Sequence, residues 1–275
     1  MDTPSLLFAT ILLRPYVFGF LAAFLFCAAR LIGWRRTGCF MGITWLVALA
    51  CELSSTRTGV PFGWYHYTGS TVGRELYVLD VPFMDSLSFP FLLYASYCMA
   101  LAFLLPFRHE ERARKGAGPI ALRFPATART SLPVALLAIL FFVYLDVVID
   151  PVALRGERWF LGRIYYYPQP GTHFGVPLAN YLGWGVVAAL SLGAYLPLDR
   201  RLLRDDLSPH RPATGRVLLG CGLYYGILGF NLAVTFRIGE SLLGMTGLLI
   251  HLPPAVLLLL RLRGYPGDGT AGDKV

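Results

Sequence analysis

Charge is scarce in this 275-residue chain. Asp, Glu, Lys and Arg together make up 15% of it, against about 25% in soluble domains. That deficit excludes an ordinary soluble enzyme and leaves a polytopic membrane protein as the class to test. Cysteine is sparse too. Cys27, Cys39, Cys51, Cys98 and Cys221 lie scattered in apolar runs with no CxxC pair, which excludes a disulfide framework or a thiolate metal cluster. They read as small buried hydrophobes. The histidines, His66, His109, His173, His210 and His251, show no HxxxH or HxxHH spacing. A multi-histidine metal site of the kind a membrane oxidase needs is excluded, because one metal requires three or four ligands held together. His66 and His173 fall on the same side and remain a pair that carboxylates would have to complete. His251, just before Pro253-Pro254, reads as a hydrogen-bonded helix-core residue. No P-loop, serine elbow or Cys–His pair occurs. "GCGLYYG" (220–226) follows no strand, so it is no nucleotide loop, and Gly222 and Gly226 read as close helix packing. The N-terminus lacks a basic stretch before its apolar run, and a cleaved signal peptide is not expected. Neither a metal nor a cofactor is expected.

What the chain has is hydrocarbon. It is 56% hydrophobic, with a mean hydropathy of +0.57. Stretches long enough to cross about 30 Å of lipid run over 15–34, 37–55, 82–105, 131–150, 177–196, 216–236 and 241–262. The fold class is therefore all-α, a polytopic membrane bundle of seven helices in one transmembrane domain (1–262), with a short cytoplasmic tail (263–275). The net charge of +8 comes without a nucleic-acid motif, so nucleic acid is excluded as a partner and the basic residues read as topology signals. Seventeen Lys and Arg fall on one side of the spans and seven on the other. The positive-inside rule then places the N-terminus outside, the C-terminus in the cytoplasm, and the chain in the cytoplasmic (inner) membrane.

The two long outer loops, 56–81 and 151–176, are rich in aromatics: Phe62, Trp64, Tyr65, Tyr67 and Tyr77 in one, Trp159, Phe160, Tyr165, Tyr166, Tyr167 and Phe174 in the other. Their Gly and Pro suit tight turns, and such loops fold back as a lid over the helix ends. Carboxylates gather on the same side. Glu52, Asp85, Asp146 and Asp150 lie near outer helix ends, with Asp80 and Glu240 beside them. "YLDVVIDP" sets Asp146 and Asp150 one helical turn apart on one face. A charge in lipid costs about 2.5–3.5 kcal/mol at the bilayer centre, so carboxylates converging from several helices read as a functional site. What remains is acid chemistry in an apolar, aromatic pocket. Asp146, one turn deeper, is the expected proton donor. Asp150 precedes Pro151, where the helix is expected to end, and would stabilise a cation or orient water. The reverse division stays open, as does a purely structural Asp150 paired with Arg155 or Arg158.

"ELSSTRTGVPFGWYHYTG" (52–69) and "DVVIDPVALRGERWFLGRIYYYPQPGTHFGVPLANYLGW" (146–184) resemble a family of carotenoid-biosynthesis membrane proteins. That family includes carotenoid 1',2'-hydratases and the bacterioruberin-pathway hydratases. The shared pattern is an E, then TG-PFG-Y-Y, a DP, a G-W, a Y-Y, a G-VP-x-x-N and a GW; "VPFMDSLSFPF" (81–91) departs from it. The resemblance implies water addition across the terminal double bond of an acyclic, lycopene- or gamma-carotene-like end group. Asp146, Asp150, Glu52 and Asp85 would be catalytic, and Trp64, Tyr65, Tyr67, Trp159, Tyr165, Tyr166, Asn180 and Trp184 would bind substrate. The lipid bilayer and other carotenoid enzymes are the implied partners. A cyclase using the same acid but excluding water, a carboxylate-coupled transporter and an assembly protein are the alternatives. The charge asymmetry predicts that a reporter fused after Val275 is cytoplasmic and one inserted at Gly171 is external; both on one side would overturn the seven-span topology.

Overall fold

The computed structural model describes residues 3–105, 107–109, 120–122, 126–202 and 214–263. The tail expected from 263 lies almost wholly outside them, as do parts of both long basic loops. Seven helices are long and apolar enough to cross a membrane. They are α2 (Pro15–Ile32), α3 (Trp34–Thr58), α4 (Phe83–Leu104), α6 (Leu132–Ala153), α7 (Leu178–Leu202), α8 (Thr214–Arg237) and α9 (Ser241–Arg263). Two shorter helices accompany them: α1 (Thr3–Leu13), which had no counterpart in the expected spans, and α5 (Ala126–Arg129). The breaks have local causes. Pro15, which has no N–H to donate, opens α2, and Gly33, at φ +84°, turns the chain from α2 into α3. Gly59 closes α3 in the left-handed conformation, its N–H bonded to the Ser55 carbonyl.

One expected end is corrected. Pro151 does not stop α6, which continues to Ala153. A proline removes the hydrogen bond to the carbonyl four residues back, here that of Val147. His173, from the following loop, places Nε2 3.2 Å from the Val147 oxygen and donates in its place. The Pro151 carbonyl accepts from Arg155. The orphaned carbonyl is satisfied by tertiary structure, so the helix survives its proline.

Helix α4 forms the centre of the bundle, buried along nearly its whole length. Helices α2, α3, α6 and α8 pack around it, and α8 comes close because Gly220 has no side chain: a Cβ there would sit 2.2 Å from Cys98 Sγ. Gly222 and Gly226 do not act this way. Both are exposed, with no atom within 4 Å of an added Cβ, because they lie on the opposite side of α8 from its buried face; the close-packing expectation is corrected.

The long loops fold over one end of the bundle, here called the loop face. Two short strands, β1 (His66–Tyr67) and β6 (Tyr165–Tyr166), pair antiparallel and join the first loop to the second. Beside them β2 (Tyr77–Val78) pairs with β3 (Val81–Pro82). A buried ion pair fixes the loops to the N-terminal helices. Arg14, between α1 and α2, holds Glu75 at 3.1 and 3.2 Å and donates at 2.7 Å to the Leu161 carbonyl of the other loop. At the opposite end, Asp199 of α7 takes Arg129 at 2.7 Å and Arg36 at 3.0 Å, and β4 (Phe107–His109) pairs with β5 (Ile120–Leu122). Glu75→Gln leaves the Arg14 guanidinium buried without its counter-charge, at a cost of about 3–5 kcal/mol. Thermal unfolding in detergent should show a clearly lower midpoint for that variant, largely recovered in Arg14→Met/Glu75→Met.

Candidate active site

Strand pairing decides which aromatics face inward. Side chains alternate along a strand, and the register sets Tyr67 opposite Tyr165. Tyr65, Tyr67, Tyr165 and Tyr167 therefore turn to one side and pack edge to face with centroids 5.4–6.5 Å apart. Trp64, His66 and Tyr166 turn to the other. The four phenols roof a cavity of about 130 Å³ between the loops and the helix ends. By the same measure a water molecule needs about 10–15 Å³, so there is room for the end of an apolar chain but not for its length.

Carboxylates stand on the floor and sides. Glu52 of α3, Asp85 of α4 and Asp150 of α6 all line the cavity. The Tyr67 hydroxyl donates to Asp85 at 2.7 Å. Burial first, and then the Asp85 and Glu52 carboxylates, hold the Tyr67 phenol well above its ordinary value, so it stays protonated and remains a donor. Tyr167 is pushed up by burial and then by Asp150, and its hydroxyl lies 3.4 Å from that carboxylate. Glu52 Oε2 is buried with no hydrogen-bond partner among the described residues.

Asp146 is placed differently. It is fully buried, one turn below Asp150, and is not among the lining residues. The two aspartates meet through Asn180 at the start of α7, whose Nδ2 donates to Asp146 at 2.7 Å and to Asp150 at 2.5 Å. One amide with two hydrogens thus serves two carboxylates. Asp146 Oδ1 has no partner among the described residues.

Of the expected substrate-binding residues, Tyr65, Tyr67, Trp159, Tyr165, Asn180 and Trp184 line the cavity. Trp64 and Tyr166 do not. Trp64 is 54% exposed and covers Gly59, and Tyr166 is 39% exposed; the strand alternation that turns their neighbours inward turns them out. Two acids also leave the expected cluster. Asp80 pairs with Arg57 at the surface, and Glu240 pairs with Arg155 and Arg158. Those arginines are therefore not partners of Asp150. His173 is engaged at Val147 and His66 lies against Tyr166. His251 is buried and bonded to the Tyr144 carbonyl. Sequence reasoning missed Tyr16 and Asn231, which line the cavity from α2 and α8. Nothing in their local pattern separates them from other membrane-helix residues, but Tyr167 was findable from the period-two run "YYY".

Together these features define an integral membrane protein with an acid-lined, aromatic cavity under a two-loop lid. A family model described as carotenoid biosynthesis protein matches residues 9–252. The chain belongs to that family, and its role is in carotenoid biosynthesis. No curated protein and no solved structure matches the chain. Tyr67→Phe removes the only hydroxyl donated to Asp85 among the described residues, and a hydrogen bond to a charged group is worth about 1.5–3 kcal/mol. Carotenoid conversion, read by pigment extraction at matched protein levels, should fall at least ~10-fold in that variant, while Trp64→Phe should behave as the native protein.

Proposed function

We propose that the protein adds water across the terminal C1=C2 double bond of an acyclic carotenoid end group, without a cofactor, in the cytoplasmic membrane with its loop face outside. The observation that carries this reading is the Asn180 amide held between Asp146 and Asp150, with Asp150 on the wall of a cavity that also holds Glu52 and Asp85. Two carboxylates this close in apolar surroundings do not both ionise, and they hold one proton between them. An alkene is a feeble base, so its protonation calls for an acid kept dry.

Asp150 faces the cavity and donates that proton to C2. Asp146, behind it, is the ionised partner, held beside Asp150 by the amide that donates to both, so that the pair carries a single proton. Depth alone favoured the reverse assignment; the donor, however, has to reach the alkene. Protonation leaves a tertiary cation at C1. The faces of Tyr65 and Tyr165 stabilise it by about 2 kcal/mol or more each when desolvated, and the Glu52 carboxylate adds to this. Water then bonds to C1 and passes its surplus proton to Asp85, held in place by Tyr67. The proton returns to Asp150 before the next turnover. One water is consumed, one C–H and one C–O bond form, and the π bond is lost, with no net oxidation or reduction.

Expression in lycopene-making cells, with extraction and mass analysis of pigments, tests the reading. The native chain should yield the tertiary alcohol, and Asp150→Asn should abolish it. Glu52→Gln should lower it at least ~100-fold, the lower range for losing one electrostatic stabiliser of a developing charge. Asp85→Asn should let the cation lose its proton instead, returning alkene that carries deuterium when cells grow in D₂O. A ring-closed product from the native chain, or alcohol at native rates from Asp150→Asn, would overturn hydration by this acid.

A further inference from the structure

The cavity holds only the end of a chain, so the rest of a long substrate has to leave it through one wall. Most walls are closed by packed helices: Phe62, Phe89, Leu92, Asn180 and Trp184 are all buried. The side between α2 and α8 is built differently. There Tyr16, Phe20, Trp159 and Phe230 line the cavity while remaining only half-buried. Tyr16 stacks on Phe230 at 5.1 Å, and Phe20 meets Phe230 at 5.7 Å. Phe160 covers this group from outside, 5.4 Å from Tyr16 and 4.8 Å from Trp159, and is itself 56% exposed. This wall is one or two rings thick.

It is also held weakly. The Trp159 indole is tied to the Val152 carbonyl at 3.1 Å, but the phenylalanines are held by apolar packing, with ring contacts worth about 0.5–1.5 kcal/mol per pair. Rotating such rings costs far less than parting the closely packed helices of the other walls, and the Arg14–Glu75 pair, which anchors the start of α2, lets the rings move without the helix. Beyond the rings, α8 offers no obstruction: Gly226, one turn from Phe230, is exposed with nothing within 4 Å of its Cβ position.

We propose that the α2–α8 seam at Tyr16, Phe20, Phe160 and Phe230 is a lateral door, through which a linear apolar chain enters sideways from the bilayer and along which its remaining length lies during reaction. The inference rests on the cavity being the seat of the chain's end group, but not on which reaction occurs there. It makes a headgroup-bearing lipid the wrong substrate class, because no polar group could pass this wall without losing its water.

A benzoylphenylalanine in place of Phe160 tests the door in lycopene-making cells. After illumination, the purified protein should gain the mass of one lycopene, and the same residue in place of Leu140, on the lipid-exposed side of α6, should give little. Equal labelling at both positions, or labelling at Leu140 alone, would overturn the door. Gly226→Trp adds a second reading. It should raise the apparent KM for the full-length chain at least ~10-fold while leaving conversion of a short acyclic terpene with the same end group unchanged. Equal loss on both substrates would count against the door. Should the native chain form no alcohol, the labelling result still decides the door, while the hydration reading alone falls.

Discussion

A carboxylate inside a membrane has to find a cation, share a proton or be tightly hydrogen-bonded, and eight of the described acids fall into two sets by how they meet that constraint. Glu75 meets Arg14, Asp199 meets Arg129 and Arg36, Glu240 meets Arg155 and Arg158, and Asp80 meets Arg57. Glu52, Asp85, Asp146 and Asp150 meet no arginine among the described residues. Asp85, Asp146 and Asp150 are bonded to an amide and phenols instead, and Glu52 Oε2 has no partner among the described residues. Acids of the first set are spent on holding the structure together. Acids of the second set are left without a cation; Glu52, Asp85 and Asp150 line one cavity and Asp146 stands behind Asp150.

The paired acids make the unpaired ones possible. Burying four carboxyl groups without counter-charges is costly, and the surrounding frame offsets that cost. Arg14 ties the start of α2 to both loops, so the lid cannot lift as separate strands. His173 completes α6 past its proline, which keeps Asp150 on a helix rather than on a loose turn. Asn180 then bridges α6 to α7 and fixes the two aspartates relative to each other. Each of these is a contact between segments distant in sequence, and each acts by satisfying a polar atom that lipid would leave bare.

The roof follows a simpler rule. Two strands of two residues, with the residues that flank them, turn Tyr65, Tyr67, Tyr165 and Tyr167 inward because extended chain alternates its side chains, and the same alternation sends Trp64, His66 and Tyr166 outward. The result is a roof of phenols over an apolar interior, with two of their hydroxyls donating to Asp85 and Asp150. An aromatic seam between α2 and α8 separates this interior from the bilayer.

The chain's composition and periodicity were enough to establish seven spans, because the cost of bare backbone in lipid acts on each stretch of sequence locally. The first expected span begins at Pro15, as α2 does, but it runs through Gly33, where the chain turns, and the second ends four residues short of Gly59. The gathering of Glu52, Asp85, Asp146 and Asp150 on one face was legible from their positions along the spans, and the carotenoid family from its motifs. Tertiary structure alone decided that Asp80 and Glu240 are neutralised while their neighbours are not, since that depends on which arginine a fold brings within about 3 Å. It also decided that α6 runs through Pro151, that Asp150 and not Asp146 reaches the cavity, and that Tyr65 faces in while Trp64 faces out. Those outcomes hang on the register of two strands from different loops and on one amide from a third helix. A local pattern carries no record of such meetings, because the energy that fixes them belongs to pairs of atoms that only the fold brings together.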